Sequence, residues 1–123
     1  MSEIRVTTLK DTSGSNSSTT AQIASGRAKA WVNFNGESTV AIRANFNVNS
    51  ITDHGVGDYT VSFTTAMSDA NYSINGTMSV NAHTAGTIFA PLNDGVATGS
   101  VRVIDARGPG QTDRPIISVA IFR

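Results

Sequence analysis

The stretch RAKAWVNFNGESTVAIRANFNVN, residues 27–49, places apolar side chains at every second position. Ala28, Ala30, Val32 and Phe34 fall on one side of an extended chain, with Lys29, Trp31 and Asn33 on the other. A period of two marks a half-buried strand, because successive side chains of an extended backbone point to opposite faces. Asn35-Gly36 then signals a tight turn, since both residues tolerate the positive φ of a two-residue hairpin. Beyond it Val40, Ile42, Ala44, Phe46 and Val48 alternate with Arg43, Asn45, Asn47 and Asn49. This predicts one continuous second strand with those five apolar residues in the core.

The same period continues toward the C-terminus. SITDHGVGD, residues 50–58, carries the Gly and Asp of a turn, and Tyr59, Val61 and Phe63 begin another strand. TTAMSDANYS, residues 64–73, is too short and polar for a core helix, which leaves a turn or a single helical turn. Tyr72, Ile74, Met78 and Val80 resume the alternation, with Gly76 on their face marking a bulge or a close backbone approach. Residues 87–92 form a shorter candidate strand, which Pro91 assigns to a sheet edge. Val101 and Val103 lie in the next strand, residues 99–105.

The final run, IISVAIFR, is apolar on both sides, Ile117, Val119 and Ile121 on one and Ile116, Ala120 and Phe122 on the other. Such a strand is either central in a packed sheet or covered by another subunit. Ile116, Ala120 and Phe122 are therefore candidate oligomer contacts. About seven strands, with turn signals roughly every 8–12 residues, predict an all-β fold, a small antiparallel β-sandwich or small barrel over residues 27–123.

Residues 1–26 read differently. DTSGSNSSTTAQIASG, residues 11–26, is rich in Ser and Thr and too poor in apolar residues to offset the entropy of ordering. It predicts an extended N-terminal arm or linker. Two readings stay open, a disordered tail or an attachment arm whose Ile4, Val6 and Leu9 add a strand to a neighbouring chain.

Composition narrows the function classes. Hydrophobic residues make up 39% of the chain and charged residues only 15%, so Ser, Thr, Asn and Gly must wet the surface, as in extracellular β proteins. Nine basic and nine acidic residues give a formal net charge of zero, hence no long-range field toward nucleic acid or an anionic membrane. The absence of cysteine excludes disulfides, thiolate metal sites and thiol nucleophiles. MSEIRVTTLK lacks the layout of a signal peptide, and no run approaches the ~20 apolar residues of a membrane span.

Chemistry-bearing residues are sparse. A hydrolytic triad needs a base, and the two histidines, His54 and His83, lie in expected loops with no nucleophile elbow nearby. No catalytic residue, metal site or cofactor is expected. Asp53, His54 and Asp58 could ligate a cation, but a turn whose Asp side chains bond their own backbone is the stronger reading. VRVIDARGPGQTDR, residues 101–114, is the most charge-dense segment. Its Asp105, Arg107 and Arg114 could grip sugar hydroxyls, and an ordinary solvated loop with ion pairs is the competing reading. Trp31, on the polar side of its strand, could stack on a sugar or plug an interface.

GRAKAWVNFNG (residues 26–36) and TVAIRANFNVNSITDHGVGDYTVSFTTAMSDANYS (residues 39–73) resemble a segment recurrent in tail-fibre and other virion structural proteins of tailed phages, marine and cyanobacterial ones especially. MSEIRVTTLKD is similar to their N-termini. From Tyr59 to Phe122 the strand order also resembles the H-type lectin sandwich, a trimeric fold at some phage fibre tips. The resemblance implies a homotrimer located in the virion, assembled in the host cytoplasm, with other virion proteins and a host surface glycan as partners. A trimeric tail-fibre or receptor-binding component is the leading expectation, and a capsid decoration protein that clamps head subunits is the alternative.

Overall fold

The computed structural model describes residues 1–79, 89–106 and 110–123. Val80, His83, Thr87 and Arg107, all singled out above, lie outside the described residues. The chain from residue 27 onward is an antiparallel β-sandwich of two four-stranded sheets. One sheet contains β3 (Ala28–Asn35), β4 (Ala41–Phe46), β7 (Ser73–Met78) and β10 (Ile117–Phe122), in the order β4-β3-β10-β7. The other contains β5 (Val48–Gly55), β6 (Asp58–Phe63), β8 (Phe89–Ala97) and β9 (Ser100–Asp105), in the order β5-β6-β9-β8. They are called here the β3 sheet and the β6 sheet.

The expected inward residues fill the space between the sheets. Ala30, Val32 and Phe34 of β3 and Ile117, Val119 and Ile121 of β10, from one sheet, are buried in one cluster with Tyr59, Val61 and Phe63 of β6 and Val101 and Val103 of β9, from the other. Strand β10 is central, between β3 and β7. That is the first of the two explanations for its doubly apolar pattern. Pro91 sits in β8, an edge strand, where its missing N–H costs no ladder bond toward a further strand. Gly76 is no bulge, since β7 and β10 pair without a register shift. It is the close approach instead: a Cβ built there would lie 2.4 Å from the Phe89 ring.

Three local readings are corrected. The run from Val40 to Val48 is two strands, one in each sheet, and Asn47 is the corner between them, at φ 56°. Its side chain holds the corner by donating to the Lys29 and Thr65 carbonyls, each at 3.0 Å, and accepting from the Thr65 N–H at 2.7 Å. Asn enters the left-handed region more readily than other non-Gly residues because its short polar side chain bonds locally. Residues 50–55 are accordingly strand rather than turn. Finally, Asn35-Gly36 does not form a two-residue hairpin. Asn35 ends β3 and its amide donates to the Glu37 and Thr39 carbonyls of a longer loop, in which Ser38 takes the positive φ of 58°.

A tyrosine closes each end of the sandwich. Tyr59 packs edge-on against Phe34, ring centroids 5.3 Å apart at 74°, and its hydroxyl donates to Asp113 Oδ1 at 2.7 Å, with the Gly36 carbonyl at 3.1 Å. Asp113 Oδ1 also accepts from the Gly57 N–H at 2.9 Å. At the opposite end Tyr72 packs edge-on against Phe63 at 5.9 Å, and its hydroxyl donates to the Ala97 carbonyl at 2.8 Å. Both phenols are pushed above their ordinary value of 10.0 by burial, Tyr59 further by its bond to Asp113.

Replacing Gly76 by Val forces a side chain into the Phe89 ring and is expected to cost about 1–3 kcal/mol, as overpacking does. The measurement is the urea midpoint; an unchanged midpoint would show that Phe89 is not seated there. The tyrosines set an alkaline limit. Between pH 10 and their raised folded values the native state keeps protons that the unfolded chain has lost, so stability falls as pH rises above about 10. Urea unfolding from pH 8 to 11 should show this decline, and Tyr59→Phe should make it shallower.

Candidate functional site

The bulge that ends the regular alternation of β4 creates the most distinctive surface of the molecule. Phe34 pairs with Ile42 and Asn33 with Ala44, so Arg43 is an extra residue and the register shifts by one. One added residue turns every later side chain to the other face. Ala44 and Phe46, expected inside, therefore share the outward face with Asn33 and Trp31, their cross-strand partners. Phe46 is 52% exposed and Trp31 40%.

Across the β3 sheet this outward face runs in rows. Phe46, Trp31, Ala120 and Asn75 occupy one, and Ala44, Asn33, Ser118 and Thr77 the next. Neither row holds a charge. Asn33 donates to Ser118 Oγ at 2.9 Å, which fixes the two polar groups at its centre. A groove of about 450 Å³ crosses the face, floored by Ser118 and Ala120 and flanked by Trp31 and Asn75. Ile116, 50% exposed, and Phe122, half-buried, extend the face along β10. Of the three residues expected at an oligomer interface, Ala120 thus pairs directly with Trp31, which was expected at a separate ligand site, and Phe122 and Ile116 lie further along the same face.

The outward face of the β6 sheet is unlike it. Thr60 stands between Thr52 and Arg102, and Ser62 between Ser50 and Ser100. Arg102 grips Asp58 with two hydrogen bonds of 2.8 and 2.7 Å, which hold the Asp58 carboxyl below its usual range. His54 Nε2 lies 2.9 Å from Thr60 Oγ1, and Asp53 accepts from the Gly55 N–H at 2.9 Å. Asp53, His54 and Asp58 are occupied as turn and ladder residues, and among the described residues no group of three potential metal ligands is gathered.

The charge-dense loop is also built differently from its expectation. Asp105 is fully buried and Arg114 nearly so, and they form an ion pair at 3.5 Å beneath the surface. Asp105 stands two residues after Val103 and follows it inward. Buried carboxylates need such a partner. The Gly57 carbonyl accepts from the Asp105 N–H at 2.8 Å, and the Arg114 carbonyl from the Gly36 N–H at 2.9 Å. These two side chains brace the β9–β10 crossover; Asp105 is closed off from the surface, while Arg114 lines a small open pocket with Glu37, Ser38, Val56, Thr112 and Asp113.

Residues 1–26 hold local structure that composition alone did not indicate. β1 (Thr8–Lys10) pairs with β2 (Ser17–Thr19), and α1 (Thr20–Gly26) follows directly. Thr19 caps the helix in a reciprocal box with Gln22, a Thr-x-x-Gln signal present in the sequence. No residue of this segment is buried. Ile4 is 89% exposed and Leu9 60%, Val6 is exposed as well, and Leu9 and Ile23 line one shallow cleft. Among the described residues no helix is long and apolar enough to cross a membrane. No family model, curated protein or solved structure matches the chain, so the reading of these surfaces rests on the residues that build them.

Proposed function

We propose that this chain is a non-catalytic structural component of a phage virion, a trimeric tail-fibre or receptor-binding module. In this reading the outward face of the β3 sheet joins sister copies, the N-terminal hairpin and helix dock on other virion proteins, and the sandwich meets a host surface glycan. One observation carries it. Among the described residues Trp31 and Ile116, two of the four large apolar side chains exposed outside the N-terminal segment, share a face whose central rows are uncharged, and Phe46, on the edge strand β4, stands at its margin outside the seam between copies.

An uncharged face can be set against copies of itself without like-charge repulsion, and Trp is a common anchor at the centre of protein interfaces. The ion-paired β6 sheet face has no such need of cover. The N-terminal segment supports the second part of the reading, because Leu9 and Ile23 are apolar, exposed and held on the β1–β2 hairpin and α1, and Ile4, exposed as well, precedes them. The resemblance of residues 26–73 to tail-fibre proteins supplies the trimer and the virion, and favours the tail over the capsid decoration role.

Ala120→Glu places a charge in the middle of the uncharged rows. Leaving a charge unpaired in a buried interface costs roughly 2–5 kcal/mol, so sedimentation should show trimers for the parent chain and folded monomers for the variant. A parent chain that stays a well-folded monomer at high dilution would sink the proposal. Deleting residues 1–26 should abolish attachment to particles and leave the trimers intact. Electron microscopy of labelled particles then separates tail from head: label on capsid faces, with no binding to any host polysaccharide, would replace the fibre role by decoration.

A further inference from the structure

At the Tyr72 end of the sandwich an open cleft of about 600 Å³ is lined by Arg27, Lys29, Phe46, Asn47, Met67 and Arg123, together with the chain from Thr64 to Ser68. The size is within the range of small-ligand sites, roughly 300–1,000 Å³. Among the described residues the side chains of Arg27, Lys29 and Arg123 line it and no Asp or Glu side chain does. Asp69, behind Arg123, accepts from Nε at 2.9 Å and from Nη2 at 2.6 Å, which fixes that guanidinium at the cleft wall. Lys29 Nζ donates to the Ala24 carbonyl, and among the described residues no carboxylate pairs with Arg27 or Lys29. In a chain of zero net charge this is a local positive excess.

The same lining includes an aromatic ring. Phe46 is half exposed at the margin of the β3 sheet, next in register to Trp31. Cations and an exposed ring gathered in one lining match a pyranose that carries a carboxylate. The ring would cover the C–H face of the sugar, and guanidinium and ammonium would take the acid group by charge-assisted hydrogen bonds. A nucleic acid needs a basic track along its backbone, whereas these cations are confined to one cleft. We propose that the cleft binds an acidic saccharide, a uronic-acid type of unit within a surface polysaccharide. This rests on the glycan-binding part of the proposed function and names its ligand class.

The test is titration calorimetry of the full chain with oligogalacturonate, its methyl ester, and single-stranded oligonucleotide, at low and high salt. The acidic oligosaccharide should bind, the neutral ester should bind at least tenfold more weakly, and salt should weaken the acidic complex. The variant R27A/K29A should lose at least tenfold in affinity while keeping the parent's circular dichroism and oligomeric state, and Phe46→Ala should weaken the complex as well. Equal binding of acid and ester, no loss in R27A/K29A, tighter binding of the oligonucleotide, or no binding of the acidic saccharide would each overturn the assignment. A chain that assembles on particles yet ignores the acidic saccharide defeats only this inference. A chain that binds the saccharide as a lone monomer and never joins particles defeats the virion reading and leaves the cleft standing.

Discussion

Two sheets share a single layer of side chains, and that layer is open at both ends wherever a crossover fails to cover it. With no cysteine to tie the crossovers down, two tyrosines do so. Tyr59 and Tyr72 each present an edge to a phenylalanine of the layer and a hydroxyl to the chain passing over the end. A phenylalanine would fill the same space and leave the Asp113 carboxylate and the Ala97 carbonyl one donor short. Each bond has a modest net worth, about 0.5–1.5 kcal/mol. Its larger effect is on position: Asp113 is held from one side by Tyr59 and from the other by Gly57, which fixes where the β9–β10 crossover lies. The buried pair Asp105 and Arg114 can then be accommodated beneath it.

With the layer closed, the two outward faces are free to differ. On the β6 sheet, threonines, serines and the Asp58–Arg102 pair meet water and each other. On the β3 sheet the middle strand contributes Ser118 and Ala120, small side chains that leave a groove between Trp31 and Asn75. The bulge at Arg43 completes this face by adding Phe46. A bulge also bends its strand and disrupts further pairing, one of the ways natural edge strands avoid adding a neighbour. The same residue thus discourages growth of the sheet at the β4 edge and enriches its flat side in aromatic surface. That combination suits association face to face rather than edge to edge.

The inward set was legible wherever alternation ran unbroken. Val32, Phe34, Val61, Val101, Val119 and Ile121 follow from period two alone, and Trp31 was correctly read on the outward side. What alternation does not encode is a change of sheet. From Ala44 to Val48 the sequence continues its period through a bulge and a corner, because Asn47 replaces a turn of several residues with one positive φ and three side-chain bonds. Charge misled in a similar way. Asp105 keeps the parity of Val101 and Val103 and so was inward by the same rule, yet charge density made its loop read as solvated. The hairpin and helix of residues 8–26 were masked by composition, although the Thr19 and Gln22 capping pair was in view.

The basic cleft could not have been read as a motif, because its residues come from parts of the chain that share no spacing. Arg27 and Lys29 stand at the start of β3, Phe46 and Asn47 at the end of β4, Met67 in the crossover from β6, and Arg123 after β10. What gathers them is the Asn47 corner, whose amide group reaches the Lys29 and Thr65 carbonyls together and so ties the first strand of one sheet to the crossover from the other. Formal neutrality hides the result, since a count of charges cannot tell a mixed surface from three cations at one end with Asp69 behind them. A corner that sets the path of the backbone also sets which strand ends share a wall, so the geometry of this cleft is a by-product of how the sandwich changes sheets.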